Sequence, residues 1–217
     1  MALAYPLPLA GFLDTLGVKQ VTFALREAVR MSPTQGGELL RADVGTRLWG
    51  GRVVVGVQRV DEIERAAARV ELLQQAGASF LVTRVHADGP AQDPTGALLG
   101  AAAPVITAVA ANGRDLAISG LPANYRLSQG DLLAWTYGNP ARQALHRVVA
   151  DRTATAGGLI AQLEVSPFVE PGLAANAPLQ LLRPACKAVM VPGSYQPPEK
   201  EGRHTYGLSF EWRQTLR

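Results

Sequence analysis

Apolar residues alternate with polar ones along several stretches of this chain, and this period of two constrains the fold more than any other feature. Near the C-terminus, Leu208, Phe210 and Trp212 are separated by single polar residues, and residues 18–31 show the same pattern. Successive side chains of a β-strand point to opposite faces, so the pattern is typical of strands that are buried on one side. The sequence therefore predicts a protein built mainly from β-sheets.

Twelve stretches have the alternation or the apolar run expected of a strand, and clusters of Gly, Pro and Asn separate them. Residues 32–37 are a predicted turn, Asn112-Gly113 is typical of a tight hairpin, and a Gly turn at 156–158 is predicted to join two neighbouring strands. The candidate strands are 18–31, 38–42, 47–60, 78–85, 104–110, 116–118, 132–137, 144–152, 159–165, 179–182 and 187–191, followed by the closing stretch 206–216.

One segment, residues 61–76, has helical spacing instead. Asp61 is a predicted N-cap with Glu64 three residues later, and Gly77 suits the position after the helix. The apolar residues at helical spacing form a stripe that we expect to pack on a sheet, while the charged residues between them face solvent. The stripe contains Ile63, Ala67, Val70 and Leu73.

The pattern of strands and turns along the sequence changes twice, and this predicts that one domain is inserted into another. A loop rich in Gly, Pro and Asp covers residues 86–100, and short strands and turns follow it up to about residue 183. Insertions of this kind are tolerated at exposed loops. The predicted fold is mainly β with one helix. A β-barrel or sandwich domain of residues 1–95 plus 184–217 carries an inserted all-β domain of residues 96–183.

Composition and motifs argue against an enzyme, a metal site or a membrane span. The 217 residues are 47% apolar and 18% charged with a net charge of +3, and basic residues are scattered rather than clustered as nucleic-acid binders require. Cys186 is the only cysteine and is predicted to be a small buried hydrophobe. The three histidines lack metal-ligand spacing, and the sequence has no common hydrolase, metalloprotease or nucleotide-binding motif. No apolar run is long enough to span a bilayer, and Pro6 and Pro8 interrupt the N-terminal apolar stretch that a signal peptide needs.

A carbohydrate-binding module needs solvent-facing aromatic rings, and two residues are candidates. Trp49 and Tyr137 lie beside glycines near the ends of predicted strands, so either could form a glycan platform. The usual burial of aromatic residues favours the core as the location of both. Trp212 belongs to an alternating apolar face and is predicted to be in the core.

Several stretches of the chain together resemble a family of viral proteins. Residues 121–123, 130–133 (GDLL), 144–151 (ALHRVVAD) and 166–167 look like a β module of phage and prophage tail proteins, and residues 207–216 resemble their final strand. The layout is similar to the distal tail proteins of long-tailed bacteriophages, in which a β-barrel with a helix carries an inserted β domain. Proteins of this kind also belong to related prophages and gene-transfer particles, and the resemblance does not distinguish these sources.

This resemblance implies a structural role without catalysis and without a cofactor. The family forms a ring, often a hexamer, between the tail tube and the baseplate hub. The implied partners are therefore other copies of the chain and these two neighbours. The implied location is the tail tip of the virion after synthesis in the host cytoplasm. DNA would pass through the lumen without sequence-specific binding, which the weak net charge permits.

A ring needs two different complementary surfaces on each subunit, and extended arms and free strand edges can supply them. Pro6 and Pro8 forbid a helix at the N-terminus, so we expect residues 1–16 to form an extended arm that packs on a neighbour; a flexible tail is the alternative. The loops 32–37 and 191–203 are the other candidates. The interface residues predicted in these three segments are Tyr5, Pro6, Pro8, Phe12, Pro33, Tyr195 and Pro197.

Overall fold

The protein is mostly β with a single α-helix among the residues that the computed structural model describes, 4–201 and 204–217. The predicted fold class is thus confirmed. The helix, α1, is Val60–Glu71, and 3₁₀ turns cover Leu13–Thr15 and Leu72–Gln74. The strands are β1 Val18–Val21, β2 Ala24–Leu25, β3 Val29–Pro33, β4 Leu39–Asp43, β5 Trp49–Val55, β6 Gln58–Arg59, β7 Phe80–Val82, β8 Val105–Val109, β9 Asp115–Ser119, β10 Arg126–Leu127, β11 Leu132–Tyr137, β12 Arg142–Val148, β13 Arg152–Thr153, β14 Ile160–Ser166, β15 Ala177–Pro178, β16 Cys186–Met190, β17 Glu199–Glu201, β18 His204–Tyr206 and β19 Ser209–Gln214.

Strands from both ends of the chain form the first sheet. Its order is β1-β5-β19-β16-β7, with β2 also paired to β5, and the sheet curves into a half-barrel. The alternating face of β19 is buried as predicted, since Leu208, Phe210 and Trp212 are all inaccessible to solvent. Helix α1 closes this core with the predicted stripe, which includes Ile63 and Val70.

The middle of the chain forms a second sheet with its own core. Its order is β11-β12-β14-β9-β8-β15, and a bridge between Ala134 and Gln180 brings the two ends together into a nearly closed barrel. The hairpin β8–β9 turns at Gly113, whose φ of 63° is in the left-handed region that glycine favours. The barrel core includes Ile106, Leu116, Ile118 and Leu163.

The two sheets contact each other through Trp49 at the start of β5. Its indole Nε1 donates a 2.6 Å hydrogen bond to the carbonyl oxygen of Leu145 in β12. The guanidinium of Arg147 lies 4.7 Å from the centroid of the Trp49 ring. Leu132, Ala134 and Leu145 of the barrel also belong to the core of the half-barrel, so the two cores are in direct contact.

Several predicted boundaries were wrong. The predicted strand 47–60 is two strands, because the amide of Gly56 donates to Gly17 and the chain bends there before α1 begins at Val60. The N-cap is Arg59 instead of Asp61, and the side chain of Glu62 accepts from its amide. The predicted strand 18–31 is interrupted twice, giving β1, β2 and β3.

The loop predicted at 191–203 contains strand β17, which pairs with β18; residues 202 and 203 lie outside the described residues. The predicted strand 179–182 begins directly after β15, the two-residue strand that the structure has there. No helix in the described part of the chain is long and apolar enough to cross a membrane.

Candidate assembly site

In the β3–β4 hairpin, every residue of β4 and four of the five residues of β3 are exposed. Its five residue pairs run from Val29–Asp43 to Pro33–Leu39, and within the described residues these two strands pair only with each other. The turn is closed by the amide of Thr34, which donates to the Glu38 carbonyl at 2.8 Å. The base is closed by the amide of Val44, which donates to Ala28, also at 2.8 Å. The hairpin therefore projects from the half-barrel without being part of its sheet.

One face of this hairpin is mainly apolar. Residues directly opposite each other in an antiparallel pair share a face, and alternate pairs share the same face. The register therefore places four apolar residues on one face, where the charged Arg41 and Asp43 lie opposite Met31 and Val29. The four apolar residues, which we call the hairpin face, are Val29, Met31, Pro33 and Leu39. Met31 is 52% exposed and Leu39 is 56% exposed, while Leu40 on the opposite face is 59% exposed. Large apolar side chains thus face solvent on both sides.

An exposed hairpin of this composition needs a partner surface. An isolated two-stranded hairpin is at best marginally stable in water. A contiguous exposed apolar patch is typical of a protein–protein interaction site. The polar contacts of the hairpin are few and solvent-exposed, such as the ion pair of Arg41 with Glu27 at 3.5 Å. These observations make the hairpin face a candidate assembly surface.

A second candidate surface is a groove of about 660 Å³ at the C-terminal end of the helix, which we call the α1–β16 groove. Buried side chains line it beside half-exposed and exposed ones. The buried residues are Leu73, Ala78 and Met190; Ala76 is exposed, and Val189 and Tyr195 are half-buried. The groove is therefore a mainly apolar depression that solvent reaches, with Gln74 and Gln75 also in its lining.

The side chain of Tyr195 is held at this groove by a hydrogen bond. Its hydroxyl donates to Glu71 Oε1 at 3.1 Å. Burial, together with the neighbouring Glu71 carboxylate, raises the pKa of Tyr195 to about 12. Glu71 is the last residue of α1 and is exposed, so the groove has an acidic residue next to its apolar wall.

The hairpin and the groove lie toward opposite edges of the first sheet. The hairpin is the connection between β2 and β5, at the β1 edge. The groove lies beside β16 and the segment that leads into β7, the strand at the other edge. One copy therefore presents a projecting apolar face on one side and an apolar depression on the other.

The residues predicted for the interface lie in different environments. Pro33 belongs to the hairpin face, Tyr195 lines the groove, and Pro197 is exposed. These three residues were chosen for their loops, and the structure places two of them on the candidate surfaces. Tyr5 and Pro8 are exposed, and Pro6 is half-buried.

The predicted arm, residues 1–16, packs on its own subunit over its described part, and its contact with a neighbour stays a prediction for the exposed residues Tyr5 and Pro8. The amide of Leu7 donates to Ser79 and its carbonyl accepts from Leu81, both at 2.9 Å, so the segment extends the edge of the half-barrel at β7. Phe12 is 1% exposed and packs on Phe80 with ring centroids 5.3 Å apart. Because Phe12 is part of the core, it is unable to contact another subunit.

The candidate glycan platforms Trp49 and Tyr137 do not face solvent. Trp49 is inaccessible, since Phe23, Arg147 and the Leu145 carbonyl surround its ring. Tyr137 is 5% exposed, and burial raises the pKa of its hydroxyl. Neither ring offers a face for a sugar to stack on, and the alternative of a core position is confirmed for both.

The buried polar groups lie away from the candidate surfaces. His146 in β12 stacks on Trp135 at 4.2 Å, its Nε2 lies 3.3 Å from the Phe168 carbonyl oxygen, and burial lowers its pKa to about 4. Glu170 lies 3.8 Å from the same nitrogen, and burial raises its pKa. Cys186 is fully buried, and burial raises its pKa. Among the described residues, no cluster of three or more His, Cys, Asp or Glu could hold a metal ion.

Sequence reasoning missed the hairpin face and the groove for different reasons. The pair Leu39-Leu40 was a usable signal for the hairpin, because adjacent leucines in a strand place one apolar side chain on each face. No local signal marks the groove, since its walls come from the end of α1 and from β16, more than a hundred residues apart. Comparison of the chain with protein-family models and with curated proteins finds no match.

Proposed function

We propose that this chain is a structural component of a phage tail tip, and that it forms a homo-oligomeric ring between the tail tube and the baseplate hub. The role requires no catalysis or cofactor; its partners are copies of itself and the neighbouring tail proteins. The observation that carries the proposal is the projecting β3–β4 hairpin with its exposed apolar face. The sequence resemblance to distal tail proteins supplies the particular assembly.

The positions of the two candidate surfaces support a ring over a closed dimer. A twofold dimer uses the same surface on both partners, whereas a ring joins two different surfaces. The hairpin and the groove differ in shape and lie toward opposite edges of one sheet. The direct contact of the two cores through Trp49 also favours a rigid subunit, which a ring of fixed geometry requires.

A carbohydrate-binding module remains the alternative function from the sequence, but neither aromatic residue predicted for it, Trp49 or Tyr137, is exposed. Phe168 is exposed, but the guanidinium of Arg114 lies 4.7 Å from its ring centroid and occupies one face. With Trp49 and Tyr137 buried, the ring-forming role has the stronger support.

Native mass spectrometry across a concentration series tests the proposal. We expect a discrete oligomer, and electron microscopy should show it as a ring with a central lumen. The double variant Met31→Ser/Leu39→Ser should shift the assembly toward monomer, because it removes apolar area from the hairpin face. The matched control is Val57→Ser, which changes an exposed valine outside both surfaces.

Three outcomes would contradict the proposal. A wild-type chain that stays monomeric at all concentrations, alone and with tail tube and hub proteins, would exclude the ring. A closed dimer would exclude a head-to-tail assembly. An oligomer that dissociates equally with Val57→Ser and with the hairpin variant would show that the hairpin face has no special role.

A further inference from the structure

We infer that the hairpin face of one copy docks in the α1–β16 groove of the next copy; this inference rests on the proposed homo-oligomer and names the contact that builds it. The donor is the set Val29, Met31, Pro33 and Leu39. The acceptor is the groove between the end of α1 and β16. The occupant of the groove is thus a second copy of this chain.

Size and chemistry agree between the two surfaces. The groove has a volume of about 660 Å³. That is within the range of about 300–1,000 Å³ found for pockets that enclose drug-sized molecules, so several apolar side chains fit. Met31 and Leu39 are exposed, and the buried residues of the groove lining, Leu73, Ala78 and Met190, are apolar. Docking would remove both apolar surfaces from water, which is the main driving force of association.

The topology directs the hairpin to a different molecule. The strands β5, β19 and β16 separate the hairpin connection from the groove within one copy. Neighbouring strands lie about 4.8 Å apart, and the hairpin leaves the sheet at β2 and β5, toward the β1 edge, whereas the groove lies at β16, next to the β7 edge. The same contact repeated from copy to copy uses two different surfaces, so it closes into a ring or continues as a filament.

Charge supplies a further match. Arg41 is in the β4 strand on the side of the hairpin face, since it is opposite Met31. Its ion pair with Glu27 is solvent-exposed on both sides, and such pairs are weak enough to be exchanged. The groove has the exposed carboxylate of Glu71 beside Tyr195. In the docked arrangement, Arg41 of one copy pairs with Glu71 of the next.

A mixing experiment tests this contact. Ala76 is exposed and lines the groove, so Ala76→Trp should fill the groove without disturbing the core. The control is Ala111→Trp, at an exposed turn away from both surfaces. We expect Ala76→Trp and Met31→Ser/Leu39→Ser to be monomeric when pure. An equimolar mixture should form dimers but no ring, because only one of the two contacts remains between the two kinds of copy.

The outcomes separate this inference from the proposed function. A wild-type oligomer that tolerates Ala76→Trp as well as Ala111→Trp would overturn the groove as the acceptor, while the ring would stand. The same conclusion would follow if the two monomeric variants failed to pair when mixed. A wild-type chain that never associates, alone or with its tail partners, would overturn the proposed function itself.

A charge exchange tests the orientation of the docked hairpin. Arg41→Glu should raise the dissociation constant of the contact by about fivefold, as expected for an exposed ion pair. Glu71→Arg should have a similar effect. The double variant Arg41→Glu/Glu71→Arg should restore the wild-type constant, since the pair is rebuilt with its charges reversed. A double variant that is no better than either single variant would overturn this docking geometry.

Discussion

The first 44 residues contain two apolar segments with opposite fates. The N-terminal arm, residues 5–16, buries Leu7, Phe12 and Leu13 in its own half-barrel. The β3–β4 hairpin, only a dozen residues further on, exposes Met31 and Leu39. Both segments contain proline and large apolar side chains, so their compositions do not separate them. The difference lies in whether a sheet edge of the same chain is free to receive the segment.

Deleting each segment in turn should give the largest difference in the free energy of unfolding. Deletion of residues 1–10 should lower the free energy of unfolding by about 5 kcal/mol, since it removes buried Leu7 and its two backbone hydrogen bonds. Replacing residues 29–43 by Asn-Gly should change it by less than about 1 kcal/mol, because the hydrogen bond between Val44 and Ala28 already closes the base. Denaturant unfolding should be measured on dilute protein, where association adds nothing to the stability. Equal losses would mean that the hairpin is part of the core.

Single substitutions should give the same contrast on a smaller scale. Phe12→Ala removes a buried ring that packs on Phe80 and should cost about 3 to 5 kcal/mol. Leu39→Ala removes exposed surface and should stay within about 0.5 kcal/mol in dilute protein. The order should reverse for assembly, where Leu39→Ala has the larger effect on the oligomer mass. A Phe12→Ala variant that is as stable as the wild type but fails to assemble would show that the arm contributes to the subunit interface.

Patterns within a segment predicted its structure well, but contacts between segments could not be predicted. The alternation of Leu208, Phe210 and Trp212 was sufficient because the period of a strand is a local property. Phe12 is buried because it packs on Phe80, and Trp49 is buried by Leu145 and Arg147. Such pairings are set by topology, which a single sequence does not contain.

The candidate site divides in the same way. Pro33 and Tyr195 could be chosen from their loops, and the structure places them on the hairpin face and in the groove. The groove itself could not be found, because its walls meet only when β16 pairs beside β7. The exposure of the hairpin was missed although the pair Leu39-Leu40 indicates it, because adjacent leucines in a strand place an apolar side chain on each face.

Lowering the pH should reduce the hydrogen-exchange protection of the arm but not that of the hairpin, with an effect smaller than that of Phe12→Ala. Burial lowers the pKa of His146 to about 4 from its ordinary 6.5, so the unfolded chain binds this proton first as the pH falls. Between pH 7 and pH 5 this costs the folded state about 2 kcal/mol. Hydrogen-exchange protection of the arm amides should fall with it, since Trp49 and Leu145 couple the barrel to the half-barrel. Hairpin amides, which open locally, should keep their protection.

The variant His146→Gln isolates this effect. Its amide can still donate to the Phe168 carbonyl, but it takes up no proton. Glu170, whose pKa burial raises, acts in the opposite direction in both proteins, because the folded state binds its proton more readily. The variant should therefore lose less stability between pH 7 and pH 5 than the wild type. An identical pH dependence of the two proteins would exclude His146 as the cause.

The smallest contrast concerns two glycines with positive φ, one at the end of the arm and one in the hairpin turn. Gly17 has a φ of 60°, and a Cβ there would lie 1.6 Å from the side chain of Gln58, which donates to the Leu16 carbonyl. Gly17→Ala should therefore cost about 2 kcal/mol of global stability, from backbone strain and the displaced hydrogen bond.

Gly37 has a φ of 84° and no atom within 4 Å of a Cβ, so Gly37→Ala introduces backbone strain without a steric clash. Because the hairpin opens independently of the core, that strain of about 1 kcal/mol should appear as faster hydrogen exchange at Thr34 and Glu38, with the unfolding midpoint unchanged. A shift of the midpoint by Gly37→Ala would mean that the hairpin and the arm unfold as one cooperative unit, which would contradict the division between them.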